Sequence, residues 1–175
     1  MTISAKAMPA AQRAEGHWLE TTPGERMIIR TSADETAGIY AMLEVVADPG
    51  NGVPMHTHKN EDEHFLVLEG TLHIANGDER LDVPAGAAVS VKKGVPHAWC
   101  NLADTPVRML VIFSPGHIVE MFREVGSRER DDPAAISAAA DRFGTVIVGP
   151  TLVDGIYSIM SPRHDRRSER GHERE

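Results

Sequence analysis

Residues 50–70 read GNGVPMHTHKNEDEHFLVLEG, and the rest of the chain is best read outward from this stretch. His56 and His58 are two positions apart, the spacing at which side chains of an extended strand share a face. Both imidazoles therefore aim at one point. Glu63 follows after the polar link KNED, at the head of the apolar run FLVL, which reads as a returning strand. His97 lies in a comparable setting, KKGVPHAWCN. Two same-face histidines, a carboxylate and a distant third histidine are enough to hold a divalent transition metal.

On either side of this stretch the chain keeps one rhythm. Short apolar runs (RMIIRT, GIYAMLEVVA, TLHIA, RLDV, AAVSV, VRMLVIFS) alternate with turn-forming breaks (TTPGE, SADETAG, NGDE, PAG, KKGVP, ADTP) from about residue 17 to residue 114. Glycine, proline, asparagine and aspartate supply the backbone angles and side-chain bonds that turns need. Strands of this length and spacing argue an all-β sandwich or barrel, and no helical pattern interrupts them before residue 115. Beyond that point HIVEMFREVG places Ile118, Met121, Phe122 and Val125 on a helical stripe. DDPAAISAAADRFG predicts a second helix, with Asp131 or Asp132 as N-cap, Pro133 in the first turn and Gly144 past the end. TVIVGPTLV reads as one more short extended piece. The expectation is a single domain over 16–160, with a barrel over about 25–114 and a helical extension over 115–160. Residues 1–15 and the mixed-charge tail 161–175 are expected to be disordered.

Composition narrows the function. A formal net charge of −8 over 175 residues disfavours a nucleic-acid surface. The arginines of the tail (Arg163, Arg166, Arg167, Arg170) alternate with acids and read as a solvated segment. No apolar stretch approaches the roughly 20 residues that cross a bilayer, and the N-terminus lacks the apolar block of a secretory signal. The one cysteine, Cys100, allows no internal disulfide, which fits a reducing, cytoplasmic location.

The remaining polar side chains have plainer readings. His64 follows Glu63 and points to the opposite face, and His73 reads as structural. His17 and His117 lie outside the motifs, and Cys100 reads as a buried inert thiol. Glu61 and Asp62 read as solvated loop carboxylates. Met42, Met55, Phe65, Trp99, Met109 and Ile112 are the candidates for an apolar wall around the metal, suited to a flat substrate.

The spacings also match a known family. Gly50, His56, His58, Glu63 and Gly70 stand at every defining position of the first cupin motif, and Gly86, Gly94, His97 and Asn101 at those of the second, where Lys92 replaces the expected proline. The chain resembles the cupin superfamily. Within it, EDEHFLVLEG, VRMLVIFSPGHIVEMFREVG and AAADRFGTVIVGP resemble small bacterial single-domain proteins grouped with quercetin 2,3-dioxygenase. The resemblance implies a double-stranded antiparallel β-barrel, or jelly roll, with C-terminal helices. It implies one divalent metal per chain, held by His56, His58, Glu63 and His97. It implies that Glu63 serves both as ligand and as acid/base, and that the chain forms homodimers. Such a ligand set accepts iron, nickel, manganese, cobalt, copper or zinc. The expected function is a quercetinase-like dioxygenase acting on a flavonol or a related aromatic or enolic molecule with dioxygen. One rival is a non-catalytic metal-containing cupin that binds or senses a small molecule. Another is an isomerase or lyase, for which the strands supply few cationic groups, Arg30, Arg80 and Arg108 at most.

Overall fold

The computed structural model describes residues 17–127 and 133–153. The expected disorder at both ends and the Asp131 or Asp132 cap lie outside these residues. The chain opens with the hairpin β1 (Leu19–Thr22) and β2 (Glu25–Thr31), turned by Pro23 and Gly24. Gly24 has φ +81°, a left-handed conformation that a side chain would strain. Then come β3 (Ala41–Ala47), β4 (Pro54–His58), β5 (Asp62–Glu69), β6 (Thr71–Asn76), β7 (Glu79–Pro84), β8 (Ala88–Val91), β9 (His97–Cys100) and β10 (Val107–Ser114). Two helices, α1 (Val119–Gly126) and α2 (Pro133–Arg142), lead to a last strand, β11 (Thr145–Thr151).

The strands form two antiparallel sheets, ordered β1-β2-β3-β10-β5-β8 and β11-β4-β9-β6-β7. From β3 to β10 the chain passes back and forth between them: β3, β5, β8 and β10 belong to the first sheet, β4, β6, β7 and β9 to the second. This is the double-sheet arrangement of a jelly roll. It has a direct consequence for the motif residues, because β4 and β9 bring the histidines from one sheet while β5 brings Glu63 from the other.

β10 shows why the sheets pack. Val107, Met109, Val111 and Phe113 are buried, while Arg108, Leu110, Ile112 and Ser114 between them are half-buried. That is the alternation of a strand with one face on a core. Phe65, Phe113, Met27, Leu43, Leu72, Ile74 and Met109 are the largest fully buried side chains of that core. Gly52 allows the β3–β4 connection to lie against β9, since a Cβ there would meet the Trp99 carbonyl oxygen at 2.7 Å.

The structure extends the sequence reading at three places. Strand β1 lies before residue 25, and one turn of 3-10 helix (Asp34–Thr36) precedes residue 115. β11 is the extended piece that TVIVGPTLV predicts within the extension over 115–160, and it pairs with β4 in the register Thr145↔His58 and Ile147↔His56. Without it, β4 would present an unpaired edge beside the histidines. The helices follow the sequence pattern: α1 buries Val119, Met121 and Val125, α2 buries Ala139 and Ala140, and Gly144 has φ +84° just past α2.

Candidate metal centre and its cavity

His56 and His58 are both buried on β4, with half-buried Thr57 between them on the other face. β9 pairs with β4 at His56↔His97, so the third imidazole stands beside the first. Glu63 arrives from the facing sheet. One ligand atom from each of His56, His58, Glu63 and His97 lies within 4.8 Å of the others, and all four residues are buried.

The hydrogen bonds behind the rings orient them. His56 Nδ1 donates to the Pro54 carbonyl at 2.8 Å, and His97 Nδ1 to the Val95 carbonyl at 3.0 Å. A carbonyl can only accept, so both Nδ1 atoms carry hydrogen and Nε2 is the inward nitrogen. His58 Nδ1 lies 2.9 Å from the Thr145 hydroxyl on β11. Its Nε2 donates to Glu63 Oε2 at 3.2 Å, and His97 Nε2 donates to the same oxygen at 2.7 Å. Outer partners of this kind fix ring orientation in metal-binding histidines.

Electrostatics separate the four groups. Burial, reinforced by the neighbouring His97, lowers His56 to about 4, so this ring is neutral at pH 7. Burial opposes charge on Glu63, but hydrogen bonds from His58 and His97 prevail and hold the carboxyl well below its usual range. The same contact raises His97 against the effect of its own burial. Imidazole protons and a divalent cation compete for the same inward lone pairs, so metal binding must release protons. Nitrogen and carboxylate donors, buried, convergent and braced from behind, fit a divalent transition ion.

The centre opens on a cavity of about 140 Å³ between the sheets and the two helices. Its lining is mostly apolar: Met27, Leu43, Val45 and Val111 from the first sheet, Trp99 from the second, and Met121, Phe122, Val125, Ile136 and Ala140 from the helices. Among the six side chains expected to form its wall, Trp99 lines it. Met42 and Ile112 pair with each other across β3 and β10 in the opposite parity to cavity-lining Leu43 and Val111, so they stand on the outer face. Phe65 and Met109 are buried in the core without lining the cavity. Met55, one residue before His56, lines a different groove with His73, Arg80 and Asp82. The helices add Met121, Phe122, Val125, Ile136 and Ala140 to the wall, and the helical stripe of Met121, Phe122 and Val125 is the sequence signal that could have found part of it.

Other polar residues fall as follows. His64 Nδ1 lies 2.8 Å from the Ser90 hydroxyl, away from the cavity. His73 pairs with Asp82 across β6 and β7 at 2.6 Å. Burial pushes the Cys100 thiol up to about 11, which keeps it protonated. Asp62 is bound by Lys92 at 2.7 Å, the position where the second motif expects proline. Glu61 is not a solvated loop carboxylate: it is 4% exposed, and its Oε2 has no hydrogen-bond partner among the described residues. The short β4–β5 turn folds it inward beside His58. Two further polar residues, Thr145 and Glu25, belong to the site without having been singled out by the motifs.

Residues 43–113 match the family model described as a cupin domain. The chain is similar to quercetin 2,3-dioxygenase of Bacillus subtilis (strain 168), with 22% identity over 116 residues, or 62% of this chain and 34% of that protein. It is also similar to mannose-1-phosphate guanylyltransferase 2 of Escherichia coli O157:H7, with 25% identity over 81 residues, 46% of this chain and 17% of that protein. The chain thus spans well under two thirds of the length of these relatives. Among solved structures, KdgF from Halomonas sp. is similar with a TM-score of 0.55 at 20% identity, over 61% of this chain and 92% of that one. The fold is that of the cupins, and the resemblance carried by the two motifs is supported. No helix among the described residues is long and apolar enough to cross a membrane.

Proposed function

We propose that this chain is a metal-dependent cupin dioxygenase of a small enol or phenol. The observation that carries the proposal is the convergence of His56, His58, Glu63 and His97 at the wall of an apolar cavity. A divalent ion bound there would supply Lewis acidity toward an enol or phenol hydroxyl and a redox partner for dioxygen. The protein's own groups do the rest. Apolar side chains exclude water and accept a flat ring. Glu63 engages both histidines through Oε2, while Oε1 makes no hydrogen bond among the described residues. Oε1 is then the atom that takes the proton of the incoming hydroxyl. A cavity of about 140 Å³ is smaller than the roughly 300–1,000 Å³ typical of drug-sized ligands. A one-ring or acyclic enol fits this space better than a three-ring flavonol. We propose, further, that the chain works as a homodimer in the cytoplasm.

The test is metal analysis of the purified protein, followed by oxygen uptake with small enols, catechols and flavonols. Uptake with concurrent loss of substrate supports the dioxygenase reading. Conversion at equal rate without dioxygen would favour an isomerase or lyase. Saturable binding with no conversion would favour a sensor or storage protein.

A further inference from the structure

Glu25 is a buried carboxyl in the wall of the same cavity, outside the four-residue cluster. It opens β2, where its neighbour across the strands is Ala47, at one end of β3. Glu63 is joined through Phe113 to Ala41, at the other end of β3. The two carboxyls therefore enter the cavity from opposite ends of the sheet. Glu25 Oε2 accepts hydrogen bonds from the Thr21 hydroxyl at 2.5 Å and from the Thr22 hydroxyl at 3.3 Å. Oε1 has no hydrogen bond among the described residues, although Glu25 is only 6% exposed. Around it the wall is apolar, with Met27, Val45 and Val125. A clip for the hairpin would need only the Thr21 contact. Among the described residues the fully enclosed side-chain oxygens without a partner are Asn51 Oδ1 and Glu61 Oε2; Glu25 Oε1 is not one of them, so it is open to the cavity and can be reached from it.

We propose that Glu25 is a specificity-determining residue whose Oε1 hydrogen-bonds a second, neutral oxygen of the ligand, so that the cavity takes a small enol or phenol with oxygens at both ends; this rests on the metal-site reading above. Burial raises the Glu25 pKa against the two threonine bonds, and the charge of Glu63 acts in the same direction. The shift favours the neutral carboxyl, the form in which Oε1 can donate to the ligand while Oε2 keeps the Thr21 bond. A ligand with a methyl group at that end leaves the donor buried and unsatisfied.

The test compares two probes that share a metal-chelating diol and differ only at the far end, 1,2,4-benzenetriol and 4-methylcatechol. Each is titrated anaerobically by calorimetry into the full chain loaded with zinc, which has no redox chemistry of its own. Wild type should prefer the triol by about tenfold, the scale of one hydrogen bond gained against one donor left unmet. Glu25→Met should lose that preference, and Glu25→Gln, which keeps a donor, should retain most of it. Should Glu25→Met fail to fold, Thr21→Val, which frees the carboxyl from its clip, should narrow the preference. Equal binding of both probes by wild type, or a preference unchanged in Glu25→Met or Thr21→Val, overturns the inference and leaves the metal centre standing. Failure to bind zinc, or either catechol, overturns the metal-site reading and this inference with it.

Discussion

In the proposed mechanism Glu63 would combine two demands in one side chain: Oε2 faces His58 and His97, and Oε1 would take the substrate proton. Glu63→Gln keeps the size and an oxygen donor but removes the base. Turnover per bound metal should fall by about 100-fold or more, the usual scale for losing a general base. His64→Ala, on the other face of β5 and bonded to Ser90, should leave turnover unchanged. Wild-type turnover per metal in Glu63→Gln would reduce Glu63 to a ligand. Glu25 gives a prediction of a different kind. Its folded pKa lies above the ordinary value, so the fold favours the protonated form. Its contribution to stability is therefore complete below the unfolded pKa, near 4.5, and is lost as pH rises through the folded pKa. Glu25→Gln does not titrate, so its melting temperature should gain on wild type as pH rises from 4 to 8. A variant that instead loses melting temperature relative to wild type as pH rises would mean that Glu25 is buried as a carboxylate. These two residues also differ in legibility. Glu63 could be read because two strict spacings fix it relative to three histidines. Glu25 could not, because a glutamate after Pro23-Gly24 looks like any turn residue until the parity of β2 turns it inward with Met27.

At the scale of elements, the parity of the strands was legible where a motif anchored it. His56 and His58 share a face as their spacing requires, and β10 alternates residue by residue. It was not legible for Met42 and Ile112, whose facing depends on register between β3 and β10, a relation between distant segments. β11 shows the same limit. TVIVGPTLV reads as extended, but nothing local says that it returns to β4 and puts Thr145 behind His58, 87 residues away. That contact is testable. Thr145→Val is close in shape and leaves β11 intact, but it removes the hydroxyl that meets His58 Nδ1. Loss of such an outer partner typically costs 10–100-fold in metal affinity, and competition against a chelator should show a drop of about that size. Unchanged affinity would mean that the ring is held by packing alone. Because protons compete for the same nitrogens, affinity should also fall as pH drops below neutrality.

The whole molecule has one face whose purpose the cavity does not explain. On the outside of the first sheet, Met42 pairs with Ile112 across β3 and β10, and Leu110 pairs with Leu66 across β10 and β5. These apolar side chains are half-buried, and Leu66 is 36% exposed. Beside them runs a chain of ion pairs over four strands, from Arg30 to Glu44 to Arg108 to Glu69. Glu44 is buried, and although burial opposes its charge, Arg108 and Arg30 hold its carboxyl below the usual range. An apolar strip beside charges of both signs offers a surface on which a second copy could pack about a two-fold axis, as an isologous dimer requires. Light scattering at micromolar concentration should therefore give twice the monomer mass. The double substitution Leu66→Lys and Ile112→Lys places like charges across that axis and should shift the dimer toward monomer by tenfold or more in Kd. Metal content should be unchanged, because both positions face away from the cavity. A monomer in the wild type would refute the dimer, and a dimer indifferent to the two lysines would place the interface elsewhere, at the exposed strand edges.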